Sequence, residues 1–375
     1  MASPTKTIEA VPGIRMKIDI CRWRLAGQFL TRPGPKRGVD VVRALGAVQA
    51  QDYSGAKWGV GQRTRGATDA SIERELESGN LVRTHILRPT WHLVAATDIR
   101  WMLALTSPRV TAAMAPSNRR LELDRAFFHR ANKVFAKALG GQRSLTRAQL
   151  SERLARGGMG TVSGQRLGHL MMQAELDGVL CSGPRRGRQF TYALVDERAP
   201  AAPPMERDEA LRELARRYFI TRGPATPRDF AWWSGLTVAD GKRGIEMNGK
   251  ALQHVTVNDV SYWMSADAER PPRATGTAHL LPNYDEYFIG LRDRQAIGNR
   301  LGHTSLVTGG NALIGNVLVI DGQLVGTWKR SVEKGELHVT LHVLTRLTRA
   351  ESARALAAAE KLAAFLELTP RASLT

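Results

Sequence analysis

The sequence predicts an α+β fold of three tandem winged-helix units, followed by a small C-terminal β-barrel or sheet domain with a terminal helix. A pattern of helices followed by a short hairpin occurs three times along the chain. Proline-containing linkers at residues 199–204 and 269–275 set off the third unit. The final part of the chain contains closely spaced β-favouring runs. A chain of 375 residues is long enough for about two to four small domains.

The same signals predict where each domain begins and ends. Residues 1–16 are expected to be disordered, because they are polar and lack the apolar core of a signal peptide. The three winged-helix units are expected at residues 17–115, 120–198 and 205–268, and the β domain at residues 275–375. Because no stretch reaches the roughly 20 apolar residues of a membrane span, we expect a cytoplasmic protein that does not bind membranes.

In the first unit, apolar spacing predicts four helices before the hairpin. They are expected at residues 18–30, 39–48, 56–62 and 69–78. Thr68 or Asp69 can cap the fourth helix, and Gly79 can end it. The β-favouring runs 81–85 and 90–94 then form the hairpin, and a further helix follows at 97–105.

The second unit has the clearest helix boundaries. A helix at 124–139 is expected to end at Gly140, and Thr146 with Gln149 forms a capping box for the next helix. A third helix at 163–177 is ended by Gly178. The strands 179–182 and 190–194 then flank an arginine-rich tip. Three short helices followed by such a hairpin are typical of a winged helix.

The same signals predict the helices and strands of the third unit and the β domain. Helices are expected at 208–221, 226–234 and 238–248, and strands at 252–258 and 261–265. This unit has fewer basic residues at its hairpin tip, so a structural role is expected, with Trp232 and Trp233 in the core. In the β domain, strands at 314–320, 324–329 and 337–344 are joined by two Xaa-Gly turns, and an amphipathic helix covers 349–367.

The charge of the chain favours a polyanionic partner. It carries 54 Lys and Arg against 35 Asp and Glu, a formal net charge of +19. Such an excess favours nucleic acid, because each phosphate contact releases counterions. The alternative is the arginine bias of a GC-rich genome. The two cysteines, Cys21 and Cys181, provide neither a disulfide framework nor a zinc site, and no His-Glu-x-x-His motif occurs, so we expect no metal and no cofactor.

The triplet Gln49-Ala50-Gln51 is the strongest candidate for a catalytic motif. Residues two apart diverge on a helix, so the glutamines can share a target only in an extended segment or loop. A pair of amides can hold a water molecule by donating and accepting hydrogen bonds, but neither amide is a strong base. Such a site suits a substrate whose leaving group is already activated. Purines alkylated at N3 or N7 meet this condition, because the cationic base leaves readily.

Several segments resemble the winged-helix family of bacterial alkylpurine DNA glycosylases, which includes enzymes that unhook interstrand crosslinks and confer self-resistance to azinomycin-type antibiotics. The resemblance extends from about residue 17 to residue 370. It is carried by residues 48–52, 58–63, 87–94, 280–287 and 292–294.

The resemblance implies three winged helices around a C-terminal β-barrel and a monofunctional DNA glycosylase. Its substrate would be double-stranded DNA with N3- or N7-alkylated purines, including bulky or crosslinked bases. The family's catalytic pair corresponds to Gln49 and Gln51. A monomer is expected, because no heptad pattern for dimerisation is present. The alternatives are a non-enzymatic winged-helix regulator and an enzyme acting on RNA or nucleosides.

Other residues near the triplet are candidates for supporting roles. Asp52 can assist the water or cap the next helix, while His92, next to Thr90 and Trp91, can contact DNA, hold the glutamine loop or be a buried structural residue. Asp285 and Glu286 are expected to pair with Arg292 or Arg294. His85 and Arg83 share one strand face, which we expect to meet solvent or phosphate. The predicted DNA-contacting residues are Arg63, Arg83, His85, Arg88, Arg166, Arg185, Arg186 and Arg188. For the last three, a solvated turn is the alternative.

Overall fold

The computed structural model describes residues 19–271, 276–302 and 315–375. The predicted disordered segment 1–16 therefore lies outside the described residues, as do part of the linker 269–275 and the first residues of the predicted helix 18–30 and strand 314–320. In the first unit the elements are α1 (Ile20–Gly27), α2 (Gly38–Leu45), β1 (Val48–Gln49), α3 (Tyr53–Gly61), α4 (Asp69–Glu77), β2 (Leu81–His85) and β3 (Trp91–Ala95).

One long helix connects the first unit to the second. This helix is α5 (Ile99–Arg120). The second unit contains α6 (Arg125–Leu139), β4 (Leu145–Thr146), α7 (Arg147–Leu154), α8 (Gly164–Leu176), β5 (Leu180–Ser182), β6 (Thr191–Leu194) and α9 (Val195–Arg198). The third unit contains α10 (Arg207–Arg222), α11 (Pro227–Ser234), α12 (Val238–Asn248), β7 (Leu252–Val257) and β8 (Val260–Ser265).

All three units share one order of elements. In the first two units, the strand that comes last in the chain lies between the other two, giving the orders β1-β3-β2 and β4-β6-β5. In the third unit, β8 pairs with β7 and is bridged to Ala225 on its other side. The predicted capping box is present at Thr146, and a second one occurs at Thr226; each threonine side chain accepts from the backbone N–H three residues later. Trp233 is fully buried in the core, as expected, while Trp232 is half-buried.

The helix predicted at residues 97–105 is much longer than expected. Helix α5 continues to Arg120 and contains both Pro108 and Pro116. A proline inside a helix removes one backbone hydrogen bond and usually kinks or ends the helix. Here Val110 is buried against the second unit, so tertiary packing stabilises the helix beyond its local preference.

The C-terminal part forms a five-stranded sheet. Its elements are β9 (Ala278–Leu281), α13 (Glu286–Ile289), α14 (Gln295–Gly298), β10 (Val317–Ile320), β11 (Gln323–Glu333), β12 (Glu336–Val343), α15 (Arg349–Leu366) and β13 (Thr369–Leu374). The strand order is β13-β12-β11-β10-β9, in which β13 is parallel to β12 and the other pairs are antiparallel. Strands β9 and β13 were not predicted. Both predicted hairpin turns are present, with positive φ at Asp321 and Gly322 and at Lys334 and Gly335.

The first unit and the C-terminal sheet share one hydrophobic core. Trp58 of α3 packs against Phe365 of α15, with ring centroids 5.2 Å apart. The Trp58 indole N–H donates to the backbone oxygen of Leu280 in β9, 2.6 Å away. This docking brings the segment after β9 against the Gln49-Ala50-Gln51 triplet. Among the described residues, no helix has the length and apolarity that crossing a membrane requires.

Candidate active site

The glutamine triplet lies at an edge of the first unit's sheet. Val48 and Gln49 pair with β3, and the Ala50 N–H donates to the backbone oxygen of Trp91 over 2.7 Å. Ala50 is completely buried. Since side chains alternate in an extended chain, Gln49 lies on the side opposite Ala50, and Gln51 follows in a bend after the strand. The sequence left an extended segment or a loop open for the triplet; its start is a strand, and Ala50 is buried as expected.

Gln49 is held through both its backbone and its side chain. Its backbone N–H donates to Glu286 Oε1 at 2.8 Å, and its side-chain oxygen accepts from Arg88 Nη2 at 2.6 Å. The Gln49 side chain is nearly buried. Two charged partners from separate parts of the chain therefore fix this glutamine.

Glu286 belongs to a buried network that the sequence did not predict. Its Oε2 accepts from Arg222 Nη2 at 2.5 Å and from the Trp233 indole N–H at 2.9 Å. Asp285 pairs instead with Arg63, 2.7 Å away. The two carboxylates diverge because consecutive side chains point in different directions. The expected pairing with Arg292 or Arg294 is therefore wrong for both carboxylates. The resemblance included residues 285 and 286, but no local signal could identify partners so distant in the chain.

Gln51 is exposed and lies at a cleft between the first and second units. Its side-chain oxygen accepts from the Trp91 backbone N–H at 3.4 Å, a long contact. The cleft has a volume of about 1060 Å³ and is bordered by β2, β3, α7 and α8. Besides Gln51, its lining includes the His85–Glu175 pair, Arg147 and His169. The large apolar side chains that line it are Trp91, Met114, Leu167, Met171, Met172 and Tyr192.

His92 is a structural residue beside the triplet. It lies opposite Gln49 in the β1–β3 pairing and is fully buried. Its Nδ1–H donates to the backbone oxygen of Thr90 at 2.9 Å, because a carbonyl can only accept. Burial and the nearby Arg88 charge lower the pKa of His92 well below its usual range. His92 is therefore neutral at neutral pH and holds the loop rather than acting as an acid. The Thr90 hydroxyl is buried without a hydrogen-bond partner in the described part of the chain.

Buried neutral histidines predict a loss of stability in mild acid. Burial lowers the pKa of His279, on β9, to about 3. The unfolded chain binds this proton near pH 6.5, so the free energy of unfolding should fall as the pH drops below about 6.5, by ~1.4 kcal/mol per pH unit for each such histidine. Urea unfolding between pH 7.5 and 5 measures the slope of the free energy of unfolding against pH. His279→Leu should reduce it, whereas His254→Leu, at an exposed position on β7, should not.

Asp52 caps helix α3. Its side chain accepts from the Gly55 backbone N–H at 3.0 Å, and its own backbone is extended, as an N-cap requires. Of the two roles expected for this residue, the structure shows the helix cap.

Arg63 does not lie on a surface that DNA could reach, so its predicted DNA contact is wrong. It is only 2% exposed. Its guanidinium donates to both oxygens of Asp285, at 2.8 and 2.7 Å, and to the backbone oxygen of Gly59 at 2.7 Å. Arg63 thus links helix α3 to the segment after β9, and its charge is neutralised there.

The β2 strand face is also covered, which contradicts the expectation that it meets solvent or phosphate. Arg83 Nε donates to the backbone oxygen of Ala50 at 3.0 Å, and its guanidinium lies over the rings of Trp91 and Phe190. His85 contacts Glu175 of α8 through its ring and its backbone N–H. The second unit packs on this face, so both residues are buried. Arg88 is turned inward to Gln49.

The basic residues of the second unit differ in exposure. Arg166 is half-buried over the Phe127 ring, at 4.9 Å. Arg185 packs over Tyr53 and Phe190, at 5.1 and 5.2 Å, and so ties the hairpin to the first unit. Arg186 and Arg188 are exposed at the hairpin tip. Arg186 donates to the backbone oxygen of Ser144. These two exposed arginines are the ones that DNA can reach from the tip.

The arrangement provides amide groups, a neutral histidine and paired charges. In the described ranges, no group of three or more His, Cys, Asp or Glu side chains could hold a metal ion. Both cysteines are buried and unbonded to each other. Amides beside an apolar cleft can position a water molecule next to a large substrate, which is chemistry of orientation rather than strong acid or base catalysis.

Comparisons with known proteins agree on one family. A family model described as "DNA glycosylase AlkZ-like" matches residues 42–365. The chain is similar to a protein of Streptomyces sahachiroi named "Interstrand DNA cross-link repair glycosylase", with 28% identity over 331 residues, 83% of this chain and 87% of that protein. It is also similar to the solved structure "Streptomyces sahachiroi DNA glycosylase AlkZ", with a TM-score of 0.76 and 25% identity, over 95% of this chain and 98% of the other.

Proposed function

Since the chain belongs to the AlkZ-like DNA glycosylase family, and is therefore an enzyme that hydrolyses N-glycosidic bonds, we propose that it releases N3- or N7-alkylated purines from double-stranded DNA. Gln49 and Gln51 are the proposed catalytic residues. We interpret the three repeated units as winged helices, and the C-terminal sheet as part of a barrel that supports them. The proposed enzyme acts as a monomer in the cytoplasm.

The chemistry follows from the leaving group. An alkylated purine carries a positive charge, so cleavage of the bond to C1′ releases a neutral base and leaves an oxocarbenium-like sugar. The enzyme then needs to place a water molecule at C1′ more than it needs to protonate the base. Two neutral amides are suited to this placement, since each can donate and accept hydrogen bonds. The observation that carries the proposal is the placement of the triplet, in which Arg88 holds the Gln49 side chain and Gln51 is exposed at the cleft.

The cleft beside Gln51 supports a large substrate. Its lining includes two aromatic rings and three methionine thioethers, and Arg147 is its one lysine or arginine among the described residues, in a chain of net charge +19. Such a surface favours an apolar substituent on the purine over a phosphate group. The printed name of the Streptomyces sahachiroi relative also supports action on interstrand crosslinks. We therefore include bulky adducts and crosslinks among the proposed substrates.

The proposed activity is tested by base release. Duplex DNA carrying N7-alkylguanine or N3-alkyladenine is incubated with the protein, and the freed base is detected by mass spectrometry. An unmodified duplex is the control, and a crosslinked duplex tests unhooking. Release from the alkylated duplexes alone supports the proposal. If the protein releases no alkylpurine from any of these duplexes, the proposed substrate class is wrong.

Replacing Asp52 by asparagine should affect stability more than the rate of base release. Asparagine keeps the N-cap hydrogen bond but removes a favourable charge from the helix N-terminus, which costs about 0.3–1 kcal/mol. The rate should stay nearly constant between about pH 6 and 9 in both proteins, because amides do not titrate there. Single-turnover rates and urea unfolding measure the two effects. A large loss of rate in a variant that unfolds like the wild type would make Asp52 the base.

Removing the exposed arginines of the second hairpin should weaken the salt dependence of DNA binding. Arg186→Ala with Arg188→Ala should reduce the slope of log K against log salt by about two, one for each lost phosphate contact. Arg185 is left in place because it packs on Tyr53. Fluorescence anisotropy at several salt concentrations gives the slope. Arg228→Ala, which removes an exposed arginine from the third unit, is the matched control. An unchanged slope in the double variant would indicate a solvated turn.

A further inference from the structure

The contact between Arg88 and Gln49 determines which end of the Gln49 amide has no hydrogen-bond partner among the described residues. An arginine side chain has only donors, so the group 2.6 Å from Arg88 Nη2 must be the Gln49 oxygen. The NH₂ group of Gln49 is then directed away from Arg88. Gln49 consequently presents hydrogen-bond donors, and its oxygen, which already accepts from a cation, is a weaker acceptor for a second hydrogen bond.

The backbone of Gln49 cannot turn to reverse this arrangement. Its N–H is held by the carboxylate of Glu286, which is itself fixed by Arg222 and Trp233. Gln49 also pairs with His92 in the neighbouring strand. Because Glu286 and Arg222 are almost completely buried, these contacts are shielded from water. The orientation of the Gln49 amide is therefore built into the fold.

Gln51 is held far less tightly. Its oxygen has one long contact of 3.4 Å with the Trp91 backbone N–H, and its side chain is exposed at the cleft. A carbonyl oxygen accepts two hydrogen bonds, so the Gln51 oxygen can accept another from a water molecule. The two glutamines thus differ in the hydrogen-bonding groups that they offer.

On the basis of the proposed function, we propose that Arg88 is a positioning residue that makes Gln49 the donor and Gln51 the acceptor for the attacking water. One lone pair of the water oxygen accepts from the Gln49 NH₂, and one water O–H donates to the Gln51 oxygen. The second lone pair is left to form the bond to C1′. As the C1′–N bond breaks, its electron pair neutralises the cationic purine. The water loses one proton to solvent, so the products are the free base, the C1′ hydroxyl and a proton.

Glutamate at each position separates donor from acceptor. Glutamate accepts hydrogen bonds but donates none when ionised, and at position 49 it would still pair with Arg88. Gln49→Glu should therefore lower the single-turnover rate at least about tenfold more than Gln51→Glu does, because only the side chain at position 49 must donate to the water. The reverse order, with Gln49→Glu active and Gln51→Glu inactive, would overturn the assignment.

A double-mutant cycle tests the positioning role of Arg88. Arg88→Met should reduce the rate at least about tenfold without changing duplex affinity, yet by less than about twofold when Gln49 is already alanine. An equal effect in both backgrounds, or weaker duplex binding, would make Arg88 a DNA contact instead. If the Gln49→Ala variant is too slow to measure, the comparison of Gln49→Glu with Gln51→Glu decides whether Gln49 is the donor. A wild-type protein that releases no alkylpurine would refute the proposed function, while coupling of residues 88 and 49 in urea unfolding would still test the contact.

Discussion

Base release should be slowed strongly when Gln51 is replaced by alanine, while affinity for duplex DNA stays nearly unchanged. Gln51 is exposed at the cleft and has only one long contact to the protein, so its removal leaves the fold intact. What is lost is the group that orients water at C1′. By comparison with other oriented hydrogen-bonding groups in enzymes, the single-turnover rate should fall by about 10²–10³. Gln49→Ala should also lower the rate strongly.

The matched control for this variant is Gln165→Ala. Gln165 is another exposed glutamine lining the same cleft, so the chemical change and its surroundings are alike. The single-turnover rate of the Gln165→Ala variant should stay within about threefold of the wild-type rate. Rates are measured with enzyme in excess over an N7-alkylguanine duplex, and affinity by fluorescence anisotropy. Wild-type rates in both the Gln49 and Gln51 variants would mean that the catalytic assignment is wrong.

Stability should fall by about 3–5 kcal/mol in Arg63→Ala, with no change in the salt dependence of DNA binding. Arg63 and Asp285 are each 1% exposed in their side chains and lie 2.7 Å apart. Removing one member of a buried ion pair leaves the other charge without compensation, which is the costly case. Asp285 would lose both of its guanidinium contacts. The free energy of unfolding is measured in urea at neutral pH.

The control is Arg188→Ala, which removes the same charge from an exposed position. It should change stability by no more than about 0.5 kcal/mol. A second variant, Arg63→Met with Asp285→Leu, removes both charges and should recover part of the lost stability. If Arg63→Ala unfolds like wild type and reduces the salt slope by about one, Arg63 contacts DNA and the buried pair is not present in solution.

The local elements of this protein can be predicted from short stretches of its sequence. The capping box at Thr146 acts over three residues, and the Asp321-Gly322 turn needs only two adjacent residues that tolerate positive φ. The non-helical form of Gln49-Ala50-Gln51 follows from the same kind of reasoning, since residues two apart diverge on a helix. Each signal lies within a few residues, so it can be interpreted without knowing the rest of the fold.

The contacts that hold the site, and the exposure of each arginine, depend instead on how distant segments pack together. Glu286 contacts Gln49 across 237 positions in the chain, and Asp285 contacts Arg63 across 222. Arginine was expected to mark the DNA surface, yet Arg63 and Arg83 are buried by packing between units. The physical reason is that the cost of burying a charge depends on its partners, and those partners come from distant segments that meet only when the hydrophobic core forms.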